Sequence, residues 1–396
     1  MSSESTVDQK AGVTAPAGFR AAGIAAGIKE SGNPDLTLVV NDGPLTSAAG
    51  VFTTNKVKAA PVLWSQQVLT HRSLKAVVLN SGGANACTGP EGFQDTHATA
   101  EKVAEVLNVG AVDVAVCSTG LIGERLPMPA VLSGVDKANA ALAKGPDADT
   151  AAATAVMTTD THPKQATATH PDGWSVGGFV KGAGMLAPNL ATMLSVITTD
   201  ANLTGDQLDA ALRVATAATF DRLDVDGGTS TNDTALLLAS GASGVTPTDA
   251  EFTALLTAVA ADLVHQLQAD AEGVTKEVAI VVRGAASEAD AVLIGRTVAE
   301  DNLVKTALFG SDPNWGRVAM ATGRSGATVD PDQLGITING IQLLENGLPA
   351  KDRSEADLSG REIQVVIDLN VGDATATILT TDLSHAYVEE NSAYSS

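Results

Sequence analysis

The residues best placed to do chemistry lie near the middle of the chain, from Lys181 to Asp200, which reads Lys-Gly-Ala-Gly-Met-Leu-Ala-Pro-Asn-Leu-Ala-Thr-Met-Leu-Ser-Val-Ile-Thr-Thr-Asp. A loop rich in glycine and proline (Gly182, Gly184, Pro188) runs into an apolar segment, with Ala191-Thr192 at the junction. Loops that enter a strand are where a scaffold presents a reactive side chain. A threonine hydroxyl is a weak nucleophile and requires a base within reach. The six histidines are scattered, and no Ser/Cys-His-Asp arrangement has a local signature. By pattern alone this is a strained loop before a buried strand.

Three other loops carry small and polar residues. Lys75 to Leu79 is an apolar run that ends in Asn80-Ser-Gly-Gly-Ala-Asn-Ala-Cys-Thr-Gly89, where backbone must approach something closely. It has no Gly-Lys-Ser/Thr ending and no Gly-x-Gly-x-x-Gly, which argues against a nucleotide. Ala111 to Cys117 is a second such run, opening into Ser118-Thr-Gly-Leu-Ile-Gly-Glu-Arg-Leu-Pro-Met128. Read alone, that is a strand-to-helix turn in which Thr119 caps the helix. Leu223-Asp-Val-Asp-Gly-Gly-Thr-Ser-Thr-Asn-Asp-Thr234 suggests calcium, but lacks the twelve-residue ligand pattern with its closing Glu.

Taken together, these motifs resemble the ornithine acetyltransferases, the bifunctional glutamate N-acetyltransferases of arginine biosynthesis. The resemblance rests on Lys-Gly-x-Gly-Met-x-x-Pro-x-x-Ala-Thr-Met-Leu at 181–194, Asn-Ser-Gly-x-Ala-Asn-Ala-Cys at 80–87 and Cys-Ser-Thr-Gly-x-Ile-Gly at 117–123. It extends to Met-Thr-Thr-Asp-Thr at 157–161, Ser-Thr-Asn-Asp at 230–233 and Gly-x-Asp-x-Asn-Trp-Gly-Arg at 310–317. It implies self-cleavage between Ala191 and Thr192 into an α chain, 1–191, and a β chain, 192–396, interwoven in one structural unit. Thr192 would be the nucleophile, its freed α-amine the base, and Thr119 and Gly120 the oxyanion hole. Substrate would meet Thr158, Lys181, Thr192, Glu272, Asn391 and Ser396, with Lys181 suited to an α-carboxylate. Glu272 sits in Asp-Ala-Glu-Gly-Val-Thr-Lys, where the family more often has Gly and Ala in place of Ala271 and Val274.

The implied reaction moves an acetyl group from N-acetylornithine to glutamate through an acetyl-threonine. No cofactor or metal is expected, though acetyl-CoA is a possible second donor. The implied assembly is an α2β2 heterotetramer. The alternative on the same fold is an N-terminal-nucleophile aminopeptidase or amidohydrolase, with water as acceptor; a small-molecule-binding α/β protein is the non-enzymatic one. An intact chain would favour the latter.

The elements that must hold these residues are legible in the bulk numbers and the periodicity. The chain has 396 residues, 44% hydrophobic but only 3% aromatic, so aliphatic residues and glycine do most of the packing. A net charge of −22 argues against nucleic acid and anionic membranes as partners. Two cysteines, Cys87 and Cys117, cannot build a disulfide framework, and no Cys/His cluster has metal-ligand spacing. No apolar run reaches the roughly 20 residues of a membrane span, and the N-terminus has no signal core, so the expected location is cytoplasmic. Strands are expected at Leu36–Val40, Trp174–Val180, Leu194–Thr199, Val278–Arg283, 364–369 and 375–379, with Ala59–Val62 grouped with the first sheet. Helices are expected over 94–107, 129–143, 150–156 and 287–303, and behind the capping boxes Thr204–Gln207 and Thr248–Glu251. The fold expected is α/β, a two-lobed sheet-and-helix sandwich of the ornithine acetyltransferase and aminopeptidase-like N-terminal-nucleophile type.

Overall fold

The computed structural model describes residues 6–186 and 193–393. In chain order the first half holds β1 (Phe19–Ile24), β2 (Leu36–Asn41), β3 (Ser47–Phe52), α1 (Ala60–Val68), β4 (Ala76–Asn80), α2 (Gly89–Leu107) and β5 (Val114–Ser118). There follow α3 (Met128–Ala141), α4 (Pro146–Thr154), β6 (Lys164–Thr169), β7 (Ser175–Lys181), β8 (Leu194–Thr199), α5 (Gly205–Ala218), β9 (Thr234–Ala239) and α6 (Asp249–Ala269). The remainder holds β10 (Glu277–Ala285), α7 (Glu288–Ala299), α8 (Asn302–Phe309), α9 (Trp315–Gly323), β11 (Gly335–Ile338), β12 (Ile341–Glu345), β13 (Leu348–Pro349), β14 (Glu362–Asp368), β15 (Ala374–Thr381) and α10 (His385–Ala393).

Among the described residues the strands form three sheets, ordered β1-β2-β4-β5, β3-β9-β8-β7-β6 and β13-β12-β11-β14-β10-β15. The middle sheet is covered on both faces. Its central strands β8 and β9 are buried throughout, and β9 accordingly runs apolar from Ala235 to Ala239 without alternation, while β8 also buries Ser195, Thr198 and Thr199. Val196, Leu236 and Leu238 face the first sheet and its helices, while Ile197 and Leu237 face α5 and α6. The third sheet carries its own core with α7, α8 and α9. The α/β two-lobed expectation therefore holds. No helix among the described residues is long and apolar enough to cross a membrane.

Local chemistry explains most boundaries. Thr204 and Thr248 each accept the N–H of the residue three on, and Gln207 and Glu251 return the bond, so both capping boxes form. Two expectations fail. Ala59–Val62 does not join a sheet: it opens α1, whose first turn contains Pro61, where a missing N–H is no loss. The 287–303 helix is broken in two at Asp301, whose carboxylate caps the N–H groups of Leu303 and Val304 and starts α8. Arg317 braces that second helix, donating to the Leu303 carbonyl oxygen at 2.6 Å.

A buried ion cluster ties β6 to the end of α6. Lys164 Nζ lies 2.7 Å from Asp160 Oδ1 and 2.5 Å from Asp270 Oδ2, with the lysine and Asp160 side chains fully excluded from solvent. Asp160 also accepts N–H bonds from Thr158 at 3.1 Å and Gly182 at 2.6 Å. Burial alone would raise the Asp160 carboxyl. The charges of Lys181 and Lys164 and the Gly182 N–H outweigh it and hold the group down at about 2.

Removing Lys164 leaves two buried carboxylates short of a cation. Lys164→Ala should lose about 3–5 kcal/mol in urea unfolding; a loss below about 1 kcal/mol would show that the cluster is dispensable. Because the Asp160 pKa is depressed in the fold, its contribution is present above the ordinary carboxylate value and disappears as the pH falls through about 2. Stability measured between pH 5 and 2 should thus fall less steeply in Asp160→Asn than in the wild type. Parallel curves would contradict the assignment.

Candidate active site

The loops that follow the parallel strands β4 and β5 lie side by side. Thr119 N–H donates to the Asn80 carbonyl, Gly83 N–H to the Thr119 carbonyl, both at 3.0 Å, and Ala84 N–H to the Leu121 carbonyl at 2.9 Å. Asn232 Nδ2 pins the pair from outside, reaching the carbonyls of Ala84 at 2.6 Å and Ser118 at 2.8 Å. Gly120 has φ +132°, and a Cβ there would sit 2.7 Å from the Gly83 nitrogen, so the position admits only glycine. Its N–H finds no acceptor among the described residues.

Lys181 closes β7 beside this turn. Its side chain is 2% exposed, and Nζ donates to Thr158 Oγ1 at 2.7 Å and to Thr119 Oγ1 at 3.4 Å, with Asp160 Oδ2 3.9 Å away. Burial lowers its pKa, opposed by the charge of Asp160.

The opposite wall is acidic. Glu272 comes two residues after Asp270, the C-terminal residue of the ion cluster, and its N–H donates to the Ala183 carbonyl at 3.0 Å. A Cβ on Gly184 would fall 2.4 Å from Glu272 Oε2, so a glycine there is what lets the carboxylate in. Asn391 Nδ2, on α10, donates to Glu272 Oε2 at 2.9 Å. Asp226 accepts the N–H groups of Met185 at 2.7 Å and Gly228 at 3.1 Å, and the Tyr387 hydroxyl lies 3.5 Å from it. Burial raises the Asp226 carboxyl, and burial, then the charges of Asp226 and Glu272, raises the Tyr387 phenol.

Thr119, Gly120, Thr158, Lys181, Glu272 and Asn391 thus line one cavity of about 240 Å³. That is below the roughly 300–1,000 Å³ of drug-sized ligand sites and suits a small metabolite. Ala191, Thr192 and Ser396 lie outside the described residues. The described residues on either side of 187–192 are held by the 223–234 loop. Val225 N–H donates to the Leu186 carbonyl at 2.5 Å, Met193 N–H to Asp233 Oδ1 at 3.1 Å, and Thr234 N–H to the Met193 carbonyl at 3.0 Å. Burial raises the Asp233 carboxyl well above the usual range, against the Met193 and Ser230 N–H groups.

Sequence reasoning passed over Asp160, Asp226 and Tyr387, which line or brace the cavity. The only signal for Asp160 was its place two residues after Thr158 in the Met-Thr-Thr-Asp-Thr run. Asp226 stood in the Asp-Val-Asp-Gly run considered for calcium, and Tyr387 at the head of a tail from which the resemblance drew only Asn391 and Ser396.

A sequence model described as the ArgJ family matches residues 20–396. The arginine biosynthesis bifunctional protein ArgJ of Mycolicibacterium paratuberculosis is 62% identical over 390 residues, covering 97% of this chain and 96% of that one. Its namesake from Mycobacterium tuberculosis is 60% identical over 390 residues, with the same coverage. Among solved structures, an ornithine acetyltransferase complexed with ornithine, from Mycobacterium tuberculosis, is 59% identical at a TM-score of 0.46, covering 48% of this chain and 100% of that one. With the match running from residue 20 to the last residue, the chain belongs to the ArgJ family.

Proposed function

We propose that this chain is an acyltransferase of arginine biosynthesis that carries acetyl from N-acetylornithine to glutamate on Thr192, after cutting itself between Ala191 and Thr192. Family membership supports the reaction class. The observation that carries the site is the meeting of Thr119, Gly120, Thr158, Lys181, Glu272 and Asn391 at one cavity, which Gly184 and Met185, shortly before 187–192, also line.

In the cleavage step Thr192 Oγ adds to the Ala191 carbonyl, the peptide C–N bond breaks to leave an ester, and water opens the ester. The product is a free α-amine, whose ordinary pKa of about 7.7–8.0 leaves a sizeable neutral fraction near pH 7. That amine takes the Thr192 hydroxyl proton as Oγ attacks the acetyl carbonyl of N-acetylornithine, and returns it to the departing ornithine amine. Thr119 O–H and Gly120 N–H donate to the carbonyl oxygen as it becomes anionic. Glutamate's amine then attacks the acetyl-threonine, giving N-acetylglutamate and restoring the hydroxyl. The transfer steps use only groups of the chain and the two substrates, and the cleavage step adds one water. Lys181 supplies the positive wall and Glu272, tied to Asn391, the negative one. Acetyl-CoA as a second donor, an α2β2 assembly of the two fragments and a cytoplasmic location complete the reading.

The sheet order supports the interweaving of the fragments. β7, before the cut, and β8, after it, are antiparallel neighbours with Lys181 opposite Leu194.

A denaturing gel of the purified protein should show fragments 1–191 and 192–396. Thr192→Ala should give one unbroken chain with no acetyl transfer, and either cleavage or turnover surviving would refute the nucleophile. Ornithine release from N-acetylornithine should rise steeply when glutamate is added. Equal release of free acetate with and without glutamate would instead mark a hydrolase. Glu272→Gln should raise the KM for N-acetylornithine about tenfold or more, as loss of one charged contact; an unchanged KM would remove Glu272 from the substrate.

A further inference from the structure

An ammonium group has three donors and no acceptor. The Lys181 ammonium directs two of them to Thr158 Oγ1 and Thr119 Oγ1, with Asp160 Oδ2 3.9 Å away, beyond hydrogen-bond distance. The bonds to the hydroxyls have a consequence. A hydroxyl that accepts from an ammonium cannot donate to it, so its own proton must turn elsewhere. Neither Thr119 Oγ1 nor Thr158 Oγ1 donates to any other described residue, and both threonines line the cavity. Free rotation about the Cβ–Oγ bond would otherwise allow either hydroxyl to point its lone pairs, the wrong polarity, at a developing oxyanion.

We propose that Lys181 is the positioning residue of the oxyanion hole: its ammonium turns the Thr119 and Thr158 hydroxyl protons into the cavity and stands as fixed positive charge behind them. The inference rests on the acetyl-threonine reading above. When Thr192 Oγ bonds to the acetyl carbon, the carbonyl π pair moves to oxygen and the hydroxyl proton to the α-amine. The oxygen then meets donors already aligned, so no reorientation is needed as charge develops. The same arrangement serves self-cleavage, in which the carbonyl belongs to Ala191 and no substrate carboxylate is present. Asp160 faces the ammonium most closely, and Lys164, Asp233, Glu272 and Lys29 complete its charged surroundings. Burial lowers the lysine's pKa, so its charge is lost at a lower pH than that of a lysine in water.

A carboxylate clamp and a hydroxyl-orienting charge make opposite predictions where no α-carboxylate exists. Lys181→Met is compared with wild type for self-cleavage rate and for turnover of N-acetyl-1,4-diaminobutane, a donor without a carboxylate. Both should slow by about 100-fold, the scale of losing one oxyanion-hole donor. Cleavage and diaminobutane turnover within twofold of wild type, with only the KM for N-acetylornithine raised, would overturn the proposal. A buried charge is removed in this variant, so a wild-type measurement accompanies it. At saturating N-acetylornithine and glutamate, kcat should fall on the alkaline side with an apparent pKa below the ordinary 10.5 of lysine. A kcat flat to pH 10.5 would also overturn it. Failure of the wild type to transfer acetyl to glutamate at all would instead sink the functional reading.

Discussion

The cavity depends on the buried cluster of Asp160, Lys164 and Asp270. Ion pairs that are fully desolvated contribute little net stability, but removing one partner is severe, because the remaining charge has no water to turn to. Here both carboxylates have further partners. Asp160 accepts two backbone N–H groups beside its lysines, and Asp270 accepts Thr161 N–H at 3.0 Å as well as the Thr161 hydroxyl. The geometric result matters more than the energy. The cluster joins the 157–161 turn, the first residue of β6, the exit of β7 and the end of α6. Lys181 precedes Gly182, whose N–H is one of the bonds to Asp160, and Glu272 follows Asp270 by two residues. Positive and negative walls are thereby set at a fixed separation by one buried network.

A second constraint acts around residues 187–192. The 223–234 loop holds both neighbouring ends, Leu186 through Val225 and Met193 through Asp233 and Thr234. The loop whose aspartates suggested calcium, but which lacked the ligand pattern for it, is in this structure a backbone clamp. Its aspartates face N–H groups, and burial drives their carboxyls up. The strain that the proposed self-cleavage would demand has to be resisted by its surroundings, and two anchors from one loop would supply that resistance.

What could be read from residues alone follows the range of the interactions involved. β8 was legible to its ends, Leu194 and Thr199, because the β-branched run Val196-Ile-Thr-Thr199 favours a strand. The capping boxes were legible because donor and acceptor lie three residues apart. The break at Asp301 was missed because the helical period continues across it, and only the carboxylate's bonds show where the new helix begins. β6 and the strands from 335 to 349 carried no decisive pattern. In the site, Thr119, Thr158, Lys181, Glu272 and Asn391 came from motif resemblance; spacing alone would have left Thr119 a helix cap. Asp160 and Tyr387 were illegible for a physical reason: their partners, Lys181 and Asp226, are brought to them only by the tertiary fold.

The five-stranded sheet draws β3, β6 and β7 from the chain before residue 191 and β8 and β9 from the chain after it. Backbone pairing runs across that division at β7–β8 and again at β3–β9. A nick at Ala191–Thr192 would therefore turn a single-chain fold into a heterodimer with no covalent tie, while leaving every ladder in place. Each half keeps one sheet whole, β1-β2-β4-β5 before the division and β13-β12-β11-β14-β10-β15 after it, but neither holds the five-stranded sheet between them. Maturation of this kind makes folding a one-time event: a molecule that unfolds after the nick must find its other half by diffusion, and its recovery becomes a question of concentration.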